Sequence, residues 1–162
     1  MGLLNQRAKE TDVVKVSNYL SEKNIFIFPS GPSKQQVFGK LIGALDLNDP
    51  NEAIKAIKAR EEAGSTVIAP GLSLPHARLH GLKQLVAALG ICPGGVMDPS
   101  IKGKPVHIFV LFLGPAENMR EHLAFLAAVS VLFQKSGIQE KLLKCKSAPE
   151  ALALLRTTEE KN

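Results

Sequence analysis

The sequence predicts an α/β fold, a three-layer α/β/α domain on a mixed β-sheet. Residues 85–92 (LVAALGIC) and 106–113 (VHIFVLFL) are apolar almost throughout, the signature of strands covered on both faces. Segments with helical spacing and recognisable caps alternate with them. No repeat, low-complexity tract or linker divides the 162 residues, so 1–162 reads as a single domain.

In chain order, residues 1–12 are polar and charged and are expected to fray. Residues 12–20 allow a helical turn, and NIFIFP (24–29) reads as a strand closed by Pro29. After the PSGPS turn, Ser33 caps a helix over 34–45 with Val37, Leu41 and Leu45 at helical spacing. Asp49, Pro50 and Glu52 give the clearest helix start in the chain, a capping box with proline in the first turn. That helix runs to Ala63 and stops at Gly64, expected as a left-handed C-terminal residue. STVIA (65–69) is a short strand leading into a loop, GLSLPHARLH. Between the two apolar strands, PGGVMDPSIKGKP is turn-rich and suits a small hairpin. A long amphipathic helix covers 117–135, ended at Gly137, and short helices over 138–145 and 148–156 complete the chain.

Composition removes several classes of function. No apolar run reaches the roughly 18 residues of a membrane helix, and the N-terminus lacks a signal-peptide core. Gly2 follows Met1, but Gln6 stands where a myristoylation signal has Ser or Thr. A cytoplasmic chain is expected, with no insertion into the membrane. Cys92 and Cys145 are too few for a disulfide framework and have no CxxC spacing, so they are expected as small buried hydrophobes. Twenty Lys and Arg against fifteen Asp and Glu give a net charge of +5, compatible with anionic partners. With one Tyr, no Trp and no Lys/Arg block, nucleic acid is not among those expected.

Candidate chemistry centres on His76. Gly71 permits a close turn and Pro75 stiffens the approach, so the ring is presented at the end of a sheet, where sites are commonly built. A turn histidine without a role is the plain alternative. Arg60 lies at the end of a helix that feeds through Gly64 into the strand before His76; it suits a site cation and a helix-end cation equally. His122 falls on the apolar stripe of the long helix with Leu126 and Val129, where a buried, hydrogen-bonded ring is the alternative to a catalytic one. His80 and His107 are weaker candidates. No HExxH, GxSxG, GxxxxGK[ST] or GxGxxG occurs, which argues against zinc, serine-nucleophile and nucleotide sites. There remains an imidazole nucleophile: neutral near pH 7, it attacks phosphorus without a separate base, given cations such as Arg60 and Arg78 and a second histidine around the transferred group.

The run AREEAGSTVIAPGLSLPHAR resembles the active-site segment of the enzyme IIA domains of the fructose/mannitol class. These belong to the bacterial phosphoenolpyruvate-dependent sugar phosphotransferase system and include the nitrogen-regulatory IIA proteins. LGICPGGVMDPSIKGKPVHIFVLFLGPAENMREHLAFLAAVS is similar to the family's strand, proline-bearing loop and His-Leu helix. The resemblance implies that His76 is the phosphorylated nucleophile, charged by the phosphohistidine of the carrier HPr. It implies that His122 stabilises the phosphoryl group, that Arg60 stabilises charge or supports the loop, and that Arg78, Ser65 and Gly71 are binding residues. A IIB cysteine or a regulatory target would be the downstream partner. No metal or organic cofactor is implied, since donor and acceptor are both side chains. Pro70, before the active-site glycine, and the basic net charge depart from the usual pattern. A regulatory interaction domain that keeps the fold without the chemistry is the rival reading.

Overall fold

A computed structural model describes residues 14–98 and 103–161. Two 3₁₀ turns, Val16–Tyr19 and Glu22–Asn24, precede β1 (Ile25–Ile27), α1 (Lys34–Gly43) and α2 (Pro50–Ala63). There follow β2 (Val67–Ala69), β3 (Leu72–Ser73), β4 (His76–Leu79), β5 (Val86–Met97) and β6 (Pro105–Pro115). Three helices end the chain: α3 (Met119–Phe133), α4 (Ile138–Leu143) and α5 (Ala148–Glu160).

The strands form one mixed sheet in the order β1-β5-β6-β3-β2, with β4 also paired to β6. β1 runs parallel to β5, β5 antiparallel to β6, β3 and β4 parallel to β6, and β2 antiparallel to β3. The two apolar runs are the central pair. Along β6, Ile108, Val110 and Phe112 face one core while Phe109, Leu111 and Leu113 face the other. The first core is closed by α3, α4 and α5 through Phe125, Val129, Leu132, Leu142 and Leu155; the second is closed by α1 and α2 through Val37, Leu41, Ala53 and Ile57. Period-2 alternation with both faces buried produces the three layers, each large apolar side chain contributing about 1.5–3 kcal/mol.

Several boundaries differ from expectation, each for a local reason. The region expected to hold a separate hairpin after Cys92 is instead the end of β5, which bulges between Ile91 and Val96 and pairs Val96 with Val106 and Met97 with Pro105. Gly95, at φ 80°, makes the bulge possible, because a Cβ there would meet Pro105 at 2.8 Å. α1 carries a full capping box, Ser33 with Gln36, and ends at Gly43. α2 starts at the expected residue, the Asp49 carboxylate accepting from the N–H groups of Asn51 and Glu52, which is the Asp49 half of the expected capping box. Gly64 ends it at φ 157° and ψ 160°, an extended geometry in place of the left-handed cap. α3 starts at Met119, where Asn118 accepts from the Glu121 N–H, and α5 extends to Glu160. The expected fraying of residues 1–12 lies outside the described residues. Both cysteines are buried free thiols; burial pushes Cys92 up to about 12, and burial with the Glu150 charge raises Cys145.

Candidate active site

The stretch expected as a loop around His76 is one strand interrupted once. β3 and β4 pair with β6 in the same register, Leu72 with Ile108 and His76 with Phe112. Pro75 sits in the gap, because it has no N–H for the ladder, but its carbonyl still accepts from the Phe112 N–H at 3.0 Å. Alternation then decides where the side chains go: Leu72 and Leu74 belong to the core under α3, and His76 follows them on that face. Its ring stacks on Phe112, centroids 5.0 Å apart and planes 11° from parallel.

His122 approaches from α3. It is the first of the buried positions His122, Phe125, Val129 and Leu132, spaced for one helix face. Its ring lies 5.2 Å from His76 and 5.1 Å from Phe112, centroid to centroid. Gly114 on β6 permits this closeness, since a Cβ there would stand 3.0 Å from His122 Nδ1. Arg60 and Arg78 complete an open cleft of about 700 Å³, which is also lined by Met119 and Leu123 and has no carboxylate among its lining residues. Arg60 lines the cleft, and its Nη1 donates to the Gly64 carbonyl at 3.0 Å. Arg78 is exposed, with Nη1 3.9 Å from Met119 Sδ.

The other candidates stand apart. Ser65 is exposed and its Oγ accepts from the Val67 N–H at 3.1 Å, outside the cleft. Gly71, at φ 81°, makes the β2–β3 turn and packs beside Gln139 and His107, also outside the cleft. His107 Nδ1 donates to the Cys92 carbonyl at 3.1 Å. His80 sits at the cleft rim and pairs with Glu117 at 2.8 Å, a carboxylate that spacing did not bring near a histidine. Among the described residues, no three His, Cys, Asp or Glu side chains come together as a metal site.

Proton positions follow from the contacts. His76 Nδ1 is 2.7 Å from the Leu74 carbonyl, which only accepts, so the proton is on Nδ1 and Nε2 carries the lone pair. Burial holds the His76 pKa below its ordinary value; Arg60 adds to this, while the Leu74 bond and the Glu61 charge oppose it. His122 is pushed down to about 4 by burial, then by the charges of His76 and Arg78. Both rings are therefore neutral near pH 7. His122 Nδ1 is buried without a hydrogen-bond partner, which leaves Nε2 as the atom for the cleft. A neutral nucleophilic nitrogen, a second neutral ring and two guanidiniums make a site able to accept a phosphoryl group.

Sequence spacing did not reveal Phe112, Gly114, Met119 or Leu123 as parts of this site; each is placed by the pairing of β4 with β6 or by the seating of α3. No helix among the described residues is long and apolar enough to cross a membrane.

Comparison with known proteins finds relatives in sequence and in fold. The family described as "Phosphoenolpyruvate-dependent sugar phosphotransferase system, EIIA 2" matches residues 18–157. The fructose-specific EIIABC component of Bacillus subtilis (strain 168) is 28% identical over 138 residues, 83% of this chain, which spans only 22% of that longer protein. A nitrogen regulatory protein of Pseudomonas aeruginosa is 25% identical over 146 residues, covering 88% of this chain and 93% of its own length. The mannitol-specific enzyme IIA component of Staphylococcus aureus is 30% identical over 141 residues, 83% and 93% of the two chains. The crystal structure of IIA-Ntr from Neisseria meningitidis superposes with a TM-score of 0.76 at 28% identity, covering 86% of this chain and 98% of that one.

Proposed function

This chain belongs to the EIIA 2 family of the phosphoenolpyruvate-dependent sugar phosphotransferase system, and on that footing we propose that it is a histidine phosphocarrier with His76 as the phosphorylated residue. The observation that carries the reading is the Leu74 carbonyl on His76 Nδ1, because it leaves Nε2 as a free nucleophile beside His122 and the two arginines. Nε2 attacks the phosphorus of an HPr-like phosphohistidine in line; the Nε2–P bond forms as the donor N–P bond breaks, and the donor ring keeps that electron pair. His76 retains its Nδ1 proton throughout, so the phosphorylated ring is cationic, held by the Leu74 carbonyl and ready to leave. A IIB cysteine thiolate then takes the phosphoryl group, forming S–P and returning the electron pair to Nε2. Arg60 and Arg78 offset the charge on the phosphoryl oxygens. His122 donates from Nε2 as a neutral ring, since protonating its other nitrogen would bury an N–H with no acceptor.

The nitrogen regulatory relatives favour a second destination for the same phosphate, a readout in which the phosphorylation state of His76 sets the affinity for a regulatory target. Both destinations need His76 to be charged. Incubation with phosphoenolpyruvate, enzyme I and HPr is expected to add one acid-labile phosphate by mass, lost in His76→Ala. No mass gain in the wild type, or a gain that survives His76→Ala, overturns the proposal.

A further inference from the structure

We infer that Glu61, Thr66 and Ser73 form a positioning relay for the His76 nucleophile, a directed hydrogen-bond chain that holds the Leu74 carbonyl on Nδ1 and so keeps Nε2 free. The inference rests on the carrier reading and adds residues to the same site; none of the three touches the phosphoryl group.

The direction of the chain follows from what each group can donate. A carboxylate only accepts, so the Thr66 hydroxyl donates to Glu61 Oε1. With its proton committed there, Thr66 Oγ1 accepts from the Ser73 hydroxyl at 3.1 Å. The main chain adds a second tie, the Leu74 N–H donating to the Thr66 carbonyl at 2.9 Å. Ser73 and Leu74 are thus both fastened to Thr66, one through its side chain and one through its backbone. The carbonyl at the end of this doubly held segment is the one that receives His76 Nδ1–H. Thr66 is 3% exposed and Ser73 0%, so water is not at hand to replace either bond.

At its far end the relay is anchored by charge. Glu61 Oε2 accepts from Lys34 Nζ at 2.8 Å, and Lys34 also reaches Asp98 at 3.3 Å. Lys34 stands at the start of α1 and Glu61 near the end of α2, so two helices of one layer brace a tautomer on the opposite face of the sheet. The Glu61 carboxylate cannot turn away without leaving Lys34 and Thr66 together. Such outer partners set ring orientation and proton position as firmly as direct contacts do.

Thr66→Val is nearly isosteric and removes the hydroxyl, leaving the Ser73 donor without an acceptor. The ¹⁵N shifts of the His76 ring and the phosphoryl-transfer rate from phosphorylated HPr should both respond. The wild type is expected to show protonated Nδ1. Thr66→Val should show a mixture of tautomers and a rate lowered by up to about a hundredfold, with KM for the carrier unchanged. Thr66→Ser should restore both, a rescue that loss of packing alone does not give. If Thr66→Val fails to fold by thermal melt, Ser73→Ala carries the same expectation. A folded variant with the wild-type ring spectrum and rate overturns the relay. If the wild type takes no phosphate, the carrier reading falls, and the ring spectra still decide the relay independently.

Discussion

Replacing His122 by glutamine exchanges a ring for an amide beside His76 and removes a titrating group from the site. In the unfolded chain the ring titrates near 6.5, whereas in the folded protein burial brings it to about 4. Between those values the unfolded state binds the extra proton, so acidification from pH 6.5 to about 4 lowers stability, by at most about 1.4 kcal/mol per pH unit for this group. His122→Gln is expected to flatten that slope in urea titrations at stepped pH, and the slope that remains includes that of the His76 ring, shifted the same way but freed of its coupled neighbour. The variant should also slow phosphoryl transfer more than it disturbs folding at pH 7. Parallel stability curves would mean that the folded ring takes up its proton freely. That His76, His122 and Arg60 would lie together was legible in the sequence through a resemblance in spacing, and they line one cleft. The hydroxyls of Thr66 and Ser73 were not, because seven residues of separation says nothing until an antiparallel turn brings two side chains together.

At the scale of elements, α3 presents two faces at the cleft. His122 and Phe125 turn inward, while Met119 at 41% exposure and Leu123 at 54% stand outward at i,i+4 spacing on the border of the cleft. Exposed apolar side chains beside a reactive ring are suited to the docking face of a protein donor. Leu123→Glu should raise KM for phosphorylated HPr about tenfold or more, since it deletes apolar contact and sets a carboxylate against the incoming phosphate. Stability should stay within roughly 0.5 kcal/mol, as for other surface changes. An unchanged KM in steady-state transfer would remove this face from the interface. The helix was readable from its period, but its expected end at Gly137 was not met, since α3 stops at Phe133 with Gln134 as its cap and Gly137 instead precedes α4; β4 was not readable at all. GLSLPHARLH carries two Gly-or-Pro breakers, Gly71 and Pro75, both turn signals locally, and only the pairing with β6 makes 76–79 a strand.

For the whole molecule, the two-core architecture separates stability from chemistry along a single strand. Phe109 and Phe112 are both fully buried on β6, three residues apart and on opposite faces. Phe109 packs against Phe38 of α1, with centroids 5.8 Å apart. Phe112 packs against Phe125, and it also carries the His76 ring and touches His122. Truncating either to leucine removes comparable buried area, so each variant is expected to lose roughly 0.5–3 kcal/mol in chemical denaturation. The catalytic consequences should differ. Phe112→Leu takes away the plate on which the nucleophile lies flat and should slow transfer at saturating carrier, whereas Phe109→Leu should leave the rate of the folded fraction unchanged. Equal rates for the two variants would show that the site is held by its hydrogen bonds alone, and that the first core contributes to the fold without orienting the ring. The alternation that buries both faces was readable from the apolar runs, but which core carries the site depends on the register of β4, which links His76 to Phe112 across the sheet.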